Sequence, residues 1–322
     1  MLAALRNKRG WWLGGLCFIA SLGCATTPYQ YGHFRASDEA EPASVVIETG
    51  EPNKTMDRMA WVAGLPSRIL PMHGKINSHR VSPETAEMLK AYLEKNDLAD
   101  VPVFVNHYDP AGEWRRLREN SLVAPGWRYS LGVVSWLGYT LVPNRVIGGD
   151  HYNPYTNSLH LNSDVPAIVL HEAAFAKDIH SRKRPGTYAA INELPLLSLW
   201  HQSRAAGDVL GYAQTQHDWE TEREAYHVLY PRIGAETTVI ASPFVPMFVG
   251  PVLGFGGAAV GYVTGRSVAA HRAGQRRDVE PPTEIASDGV QQASTTETAS
   301  GGVQQATYVE RLPAVAKPEG SQ

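Results

Sequence analysis

Residues 165–178 read Val165-Pro166-Ala167-Ile168-Val169-Leu170-His171-Glu172-Ala173-Ala174-Phe175-Ala176-Lys177-Asp178. Pro166 suits the first turn of a helix, where its missing N–H costs nothing, and Ser163-Asp164 place side-chain oxygens just ahead of it to cap the free amides. The apolar run Val165–Leu170 leads into His171-Glu172, so the stretch reads as a buried helix with an imidazole and a carboxylate on its middle turn. Upstream, Asn153-Pro154-Tyr155-Thr156-Asn157 is a turn by composition. In Ser158–Asn162, Leu159 and Leu161 alternate with His160 and Asn162, the pattern of a half-buried strand.

Working outward, Ser82-Pro83-Glu84 opens another helix, with Ser82 as N-cap, Pro83 at the first helical position and Met88, Leu89, Tyr92 and Leu93 on one face. Val101–Val105 and Ser44–Glu48 read as short strands, and a further helical stretch holds Trp114 and Leu117. Tyr129–Val142 is apolar but about half as long as a bilayer span, so it is core or interfacial, with Tyr129, Trp136 and Tyr139 as its aromatics. The elements together predict an α+β fold.

The chain has 322 residues, and 29 Lys+Arg stand against 32 Asp+Glu for a formal net charge of −3. That balance argues against nucleic acid as a partner. The only cysteines are Cys17 and Cys24, which excludes disulfide scaffolds, CxxC redox chemistry and cysteine-rich zinc modules from everything that follows. Residues 1–24 read as an export signal, with Arg6, Lys8 and Arg9 ahead of an uncharged run from Gly10 to Gly23. The run ends Ala20-Ser21-Leu22-Gly23-Cys24, which resembles the lipobox of bacterial lipoproteins. That resemblance implies cleavage before Cys24 and a lipid on its thiol.

Thr237–Gly265 carries no charge, and a helix over Met247–Gly265 would span roughly 28 Å, near the hydrocarbon thickness. Gly257, Gly261 and Gly265 recur every four residues, as do Gly250 and Gly254 with Ala258, a spacing that lets membrane helices meet closely. Arg266, Arg272, Arg276 and Arg277 follow, which would set that end on the cytoplasmic side. From 273 onward Pro, Ser, Thr, Gln and Gly dominate, Gly289–Ala293 is echoed at Gly302–Ala306, and the tail is expected to be disordered.

The chemistry-bearing signal is His171-Glu172. In an HExxH helix two histidines four apart share a face and reach one zinc, and the glutamate polarises a zinc-bound water. Here the second position is Phe175. His180 lies about 180° around the helix from His171, and Asp178 shares its face two turns away as a supporting acid. Residues 150–236 resemble the core of gluzincin-type zinc metallopeptidases of bacterial envelopes: an NPYTN-type turn, a short edge strand (Ser158–Asn162), then the HExxH-like helix running on into Asp178. The resemblance implies a zincin-like core, with His171 as first metal ligand and Glu172 as general base. Its third ligand, a glutamate on a later helix, would fall in Trp200–Asp208, where Gln202 stands instead. One imidazole is too few for zinc, which takes three or four protein ligands. Replacement would have to come from His201, Glu220, Glu222 or Glu224.

The chain therefore reads as a signal peptide (1–23), a tether (24–60), a metallopeptidase-like domain (61–236), an apolar glycine-rich membrane segment (237–265) and a disordered tail (266–322). The expected function is a catalytically inactive binding or scaffold module, tethered to a membrane of the bacterial envelope outside the cytoplasm, with no cofactor. Its expected partners are the lipid membrane, envelope proteins or peptides, and a second copy through the glycine-rich helix. The alternative is an active zinc-dependent endopeptidase with replacement ligands.

Overall fold

A computed structural model describes residues 45–51, 58–60, 62, 73–141, 149–239 and 250–279. The export signal with Cys24, most of the tether, residues 240–249 and the tail beyond 279 lie outside the described residues. The fold is mixed helix and sheet, mostly helical. In chain order it comprises β1 (Ile47–Thr49), α1 (Pro83–Lys95), β2 (Val103–Val105) and α2 (Pro110–Glu119). Next come α3 (Pro125–Trp127), which continues through a π turn (Arg128–Gly132) into α4 (Val133–Leu141), then β3 (His151–Asn153) and β4 (Ser158–Leu161). Five helices follow: α5 (Pro166–His180), α6 (Pro185–Asn192), α7 (Pro195–Thr215), α8 (Trp219–Val239) and α9 (Gly250–Val279).

The sheet has the order β1-β2-β4-β3. β1, β2 and β4 run parallel, with Val103 opposite Ile47 and Leu159, and β3 is antiparallel to β4. β4 is thus an inner strand rather than the expected edge strand, and all four of its residues are buried. Alternation suggested one wet face, but pairing on both sides and packing on both faces leave none. The edge next to β4 is β3. Ser158 and His160 of β4 join Glu113 of α2 in a buried polar cluster. Glu113 of α2 lies 3.0 Å from His160 Nε2 and 2.6 Å from the Arg116 guanidinium, with its side chain 2% exposed. Burial pushes the Glu113 carboxyl up, but the hydrogen bond and charge of His160 and the charge of Arg116 outweigh it and hold it at about 2.

Replacing Glu113 with glutamine is expected to cost about 3 kcal/mol near neutral pH, because it removes the buried carboxylate that Arg116 and His160 share. A carboxyl depressed by folding stabilises above its unfolded value and loses that contribution as it is protonated. The gap between wild type and variant should therefore be full above 4.5 and close as pH falls toward about 2, in denaturant titrations run across that window.

α5 is the central helix, and all its residues are buried except Pro166, Phe175 and His180. A helix apolar nearly all round belongs inside, and α5 packs on α1, α7 and α8 and on β3 and β4. Its two buried charges near the C-terminal end are matched. Lys177 reaches Asp208 of α7 at 2.8 Å, and Tyr92 of α1 donates to the same carboxylate at 2.7 Å. The expected caps are exchanged. Ser82 caps α1 as predicted, but Asp164 accepts from Ser82 N, Ser82 Oγ and Thr85 Oγ1 at 2.7–2.9 Å instead of capping α5. The N-cap of α5 is Val165, without a side-chain bond, and Glu224 of α8 accepts the Ala167 N–H at 3.0 Å in its place.

The glycine-rich segment is corrected most. Among the described residues no helix is long and apolar enough to cross a membrane. α9 does not stop at Gly265 but runs on to Val279, through the arginines. Of the expected span Met247–Gly265, residues 247–249 lie outside the described residues. Nor does the disordered tail begin at 266. A Cβ on Gly257, Gly261 or Gly265 would lie 2.1, 2.2 and 2.0 Å from the carbonyl oxygens of Gly234, Tyr230 and Tyr226. The glycine stripe thus seats α9 antiparallel on α8 within one chain, and the face a second copy would have used is filled. Further along, Arg272 Nε lies 3.2 Å from Glu222 and the Arg276 guanidinium 5.4 Å from the Trp219 ring. Of the apolar stretch Tyr129–Val142, residues 129–141 belong to the π turn and α4, and Val142 lies outside the described residues. Tyr139 is buried there, whereas Tyr129, Val134, Leu137 and Leu141 are exposed.

Candidate functional site

The middle turn of α5 and the first half of α7 bring together His171, Phe175, His201 and Gln202. His171 Nε2 lies 3.3 Å from the backbone carbonyl of Gln202, and Nδ1 lies 3.4 Å from Glu172 Oε1. A carbonyl and a carboxylate both only accept, so whichever ring nitrogen makes its bond carries a proton there and offers no lone pair to a metal. Phe175 takes the i+4 position on the same helix face, and its ring centroid sits 3.5 Å from that of His201. The Gln202 side-chain oxygen is buried without a hydrogen-bond partner.

His201 is held from behind. Its Nδ1 lies 2.7 Å from Asp178, which also accepts from Tyr188 at 2.6 Å, pairs with Arg204 at 3.2 Å and meets Arg182. Burial pushes the Asp178 carboxyl up, but the hydrogen bonds from His201 and Tyr188 and the nearby charges bring it down to about 2. Burial also lowers the His201 imidazole, with Asp178 opposing. Asp178 is thus the supporting acid the spacing suggested, though it orients His201 rather than His171. The remaining candidates lie elsewhere. Glu220 is exposed on α8. Glu222 is buried and accepts from Tyr226, Gln214 and Arg272. Glu224 caps α5 and meets His73 at 3.3 Å.

Glu172 lies 2.7 Å from Arg232 Nη1, an arginine of α8 that sequence reading did not single out. Burial pushes the Glu172 carboxyl up, yet the Arg232 charge and His171 hold it at about 2. A general base works best with a pKa near the operating pH, so a carboxylate locked this way is a weak proton acceptor. The signal available in the sequence was Arg232 and Glu236 one turn apart on α8, and in the structure they stand 3.7 Å apart.

No family model, curated protein or solved structure matches this chain.

Of the three positions the resemblance assigns to zinc, only His171 carries an imidazole or a carboxylate. Zinc needs three or four donors in a tetrahedron. Here one imidazole has its Nε2 turned to a carbonyl, an aromatic ring stands at the second position and a neutral amide at the third. Among the described residues no group of three or more His, Cys, Asp or Glu is placed to share a metal ion. A second polar set, Ser158, His160 and Glu113, is also not a nucleophile relay. His160 Nε2 faces both Ser158 Oγ at 3.1 Å and Glu113 at 3.0 Å, while Nδ1 is buried without a partner. A relay uses opposite ring nitrogens for nucleophile and acid.

Between α5 and α8 lies a cleft of about 300 Å³, lined by Ile168, Val228, Pro231, Ala235, Arg232 and Glu236 and closed by Ile76, Asn77, Gly149 and Asp150. Asp150 is buried and accepts from Asn162 N at 2.7 Å, Ser163 N at 2.9 Å and Ser163 Oγ.

Proposed function

We propose that this chain is an exported, membrane-tethered module of the bacterial envelope whose metallopeptidase-like core binds or scaffolds rather than cleaves. The observation that carries the reading is the Arg232 guanidinium 2.7 Å from Glu172, the residue a peptidase of this type would need as its base. Phe175 and Gln202 at the ligand positions support it from the metal side, and a hydrolase without its cation has lost both the Lewis acid and the activated water. The tether rests on the lipobox-like Ala20–Cys24, and export would place residues 45–279 outside the cytoplasm.

The competing reading, a zinc-dependent endopeptidase with replacement ligands, draws on one observation. His201 is oriented by Asp178 and keeps a buried Nε2 without a partner. Metal content separates the two. The full chain, dialysed against zinc and then buffer, should retain far less than one zinc per molecule, and a His171→Ala variant should retain no less than wild type. One zinc per chain that disappears with His171→Ala, together with peptide hydrolysis, would establish the peptidase instead.

A further inference from the structure

We infer that the cleft between α5 and α8 binds a primary ammonium group on a short apolar stem, with Glu236 receiving the ammonium. This deepens, and rests on, the reading of the core as a binding module. The cleft's volume of about 300 Å³ lies at the small end of ligand pockets. Its walls decide the body of the ligand: Ile76, Ile168, Val228, Pro231 and Ala235 offer apolar surface.

Its charges decide the head. Asp150 and Glu236 line the cleft, and Glu172 stands directly behind Arg232, so three carboxylates face a single guanidinium. That guanidinium is already paired, 2.7 Å from Glu172 and 3.7 Å from Glu236. An entering anion would meet a surplus of its own sign, whereas an entering cation completes the balance. Asp150 already accepts three hydrogen bonds from Asn162 and Ser163. Glu236 Oε2, by contrast, is buried with no hydrogen-bond partner. A buried acceptor of that kind is costly to leave unmade, and a three-donor ammonium satisfies it with a charge-assisted bond. Burial raises the Glu236 carboxyl against the pull of Arg232, as expected of an acid short of a partner.

A primary ammonium on an apolar stem is presented by free alkylamines and by lysine side chains of proteins. The test is calorimetric titration of the full chain near neutral pH with n-hexylamine, n-hexanol and Nα-acetyl-lysine amide. Hexylamine should bind saturably and at least ~tenfold more tightly than hexanol, and Glu236→Gln should erase that difference. The variant is isosteric at a part-exposed position, and an unchanged melting temperature shows that it is folded. Binding of the lysine amide with similar strength assigns the site to protein side chains, and binding of hexylamine alone assigns it to free amines. Failure of hexylamine to saturate, equal binding of hexanol, or indifference to Glu236→Gln would overturn the inference. Zinc measured in the same sample keeps the two readings apart: a zinc-free chain that ignores hexylamine sinks only the ligand, and a zinc-loaded one sinks the binding module.

Discussion

Replacing Gly261 with leucine is expected to detach α9 from α8 and to remove at least about 3 kcal/mol of stability. The reason is that the obstruction is backbone. A Cβ at 261 would lie 2.2 Å from the Tyr230 carbonyl oxygen and 2.8 Å from Pro231 Cα, and neither atom can turn aside as a side chain would. The helices must separate along their length. Gly257 against Gly234 and Gly265 against Tyr226 would then lose their fit, and Arg272 would leave Glu222. Trypsin should cut after Arg266 and Arg272 in the variant well before it does in wild type, and denaturant titration should give the energy. Gly256→Leu is the control: it is exposed, nothing lies within 4 Å of its would-be Cβ, and leucine favours a helix by roughly 1 kcal/mol over glycine. Equal behaviour of the two variants would contradict the close helix contact.

The second large effect is a gain. Phe175→His together with Gln202→Glu should raise the zinc retained after dialysis to one ion per chain. His171 and residue 175 share a face of α5, and residue 202 already stands beside His171, whose Nε2 is 3.3 Å from its backbone. The shift from one donor to three meets the requirement of a catalytic-type zinc site. Zinc at roughly a hundred times its Kd would then raise stability by about 2.7 kcal/mol, and a melting curve with and without the ion reads this directly. Peptide hydrolysis should stay slow, because Arg232 still holds Glu172. If the double variant takes up no zinc, the assignment of positions 175 and 202 as former ligand positions is wrong.

Local rules carried much of the fold. Ser82-Pro83 starts α1, Asn153–Asn157 turns the chain between β3 and β4, and Val165–Asp178 is the buried helix its apolar run indicated. The errors arose where tertiary pairing overrode a local pattern. Asp164 precedes α5 and looks like its cap, but Ser82 and Thr85 are nearer partners in space. Alternation in Ser158–Asn162 suggested one wet face, and no local signal says that two strands flank β4. The glycine spacing correctly announced close helix contact, but spacing does not say whether the partner lies in the same chain. At the candidate site, His171 and Phe175 were legible from one motif, and Gln202 was named only through the resemblance to gluzincin-type peptidases. Arg232, distant in sequence and decisive for Glu172, was not, because an arginine on a helix face reads as solvated until its neighbour is known.

The strand order has a kinetic consequence. β1, β2 and β4 lie side by side in parallel, yet the chain wanders through α1 and then through α2, α3 and α4 between them. Such nonlocal registers must close large loops before any ladder bond rewards them, and proteins dominated by them fold slowly. A chain emerging from its N-terminus can form α1 or α2 at once. The inner edge of β2 nevertheless stays open until Leu161 has been delivered, an interval in which that short apolar strand is available to chaperones and to wrong partners alike.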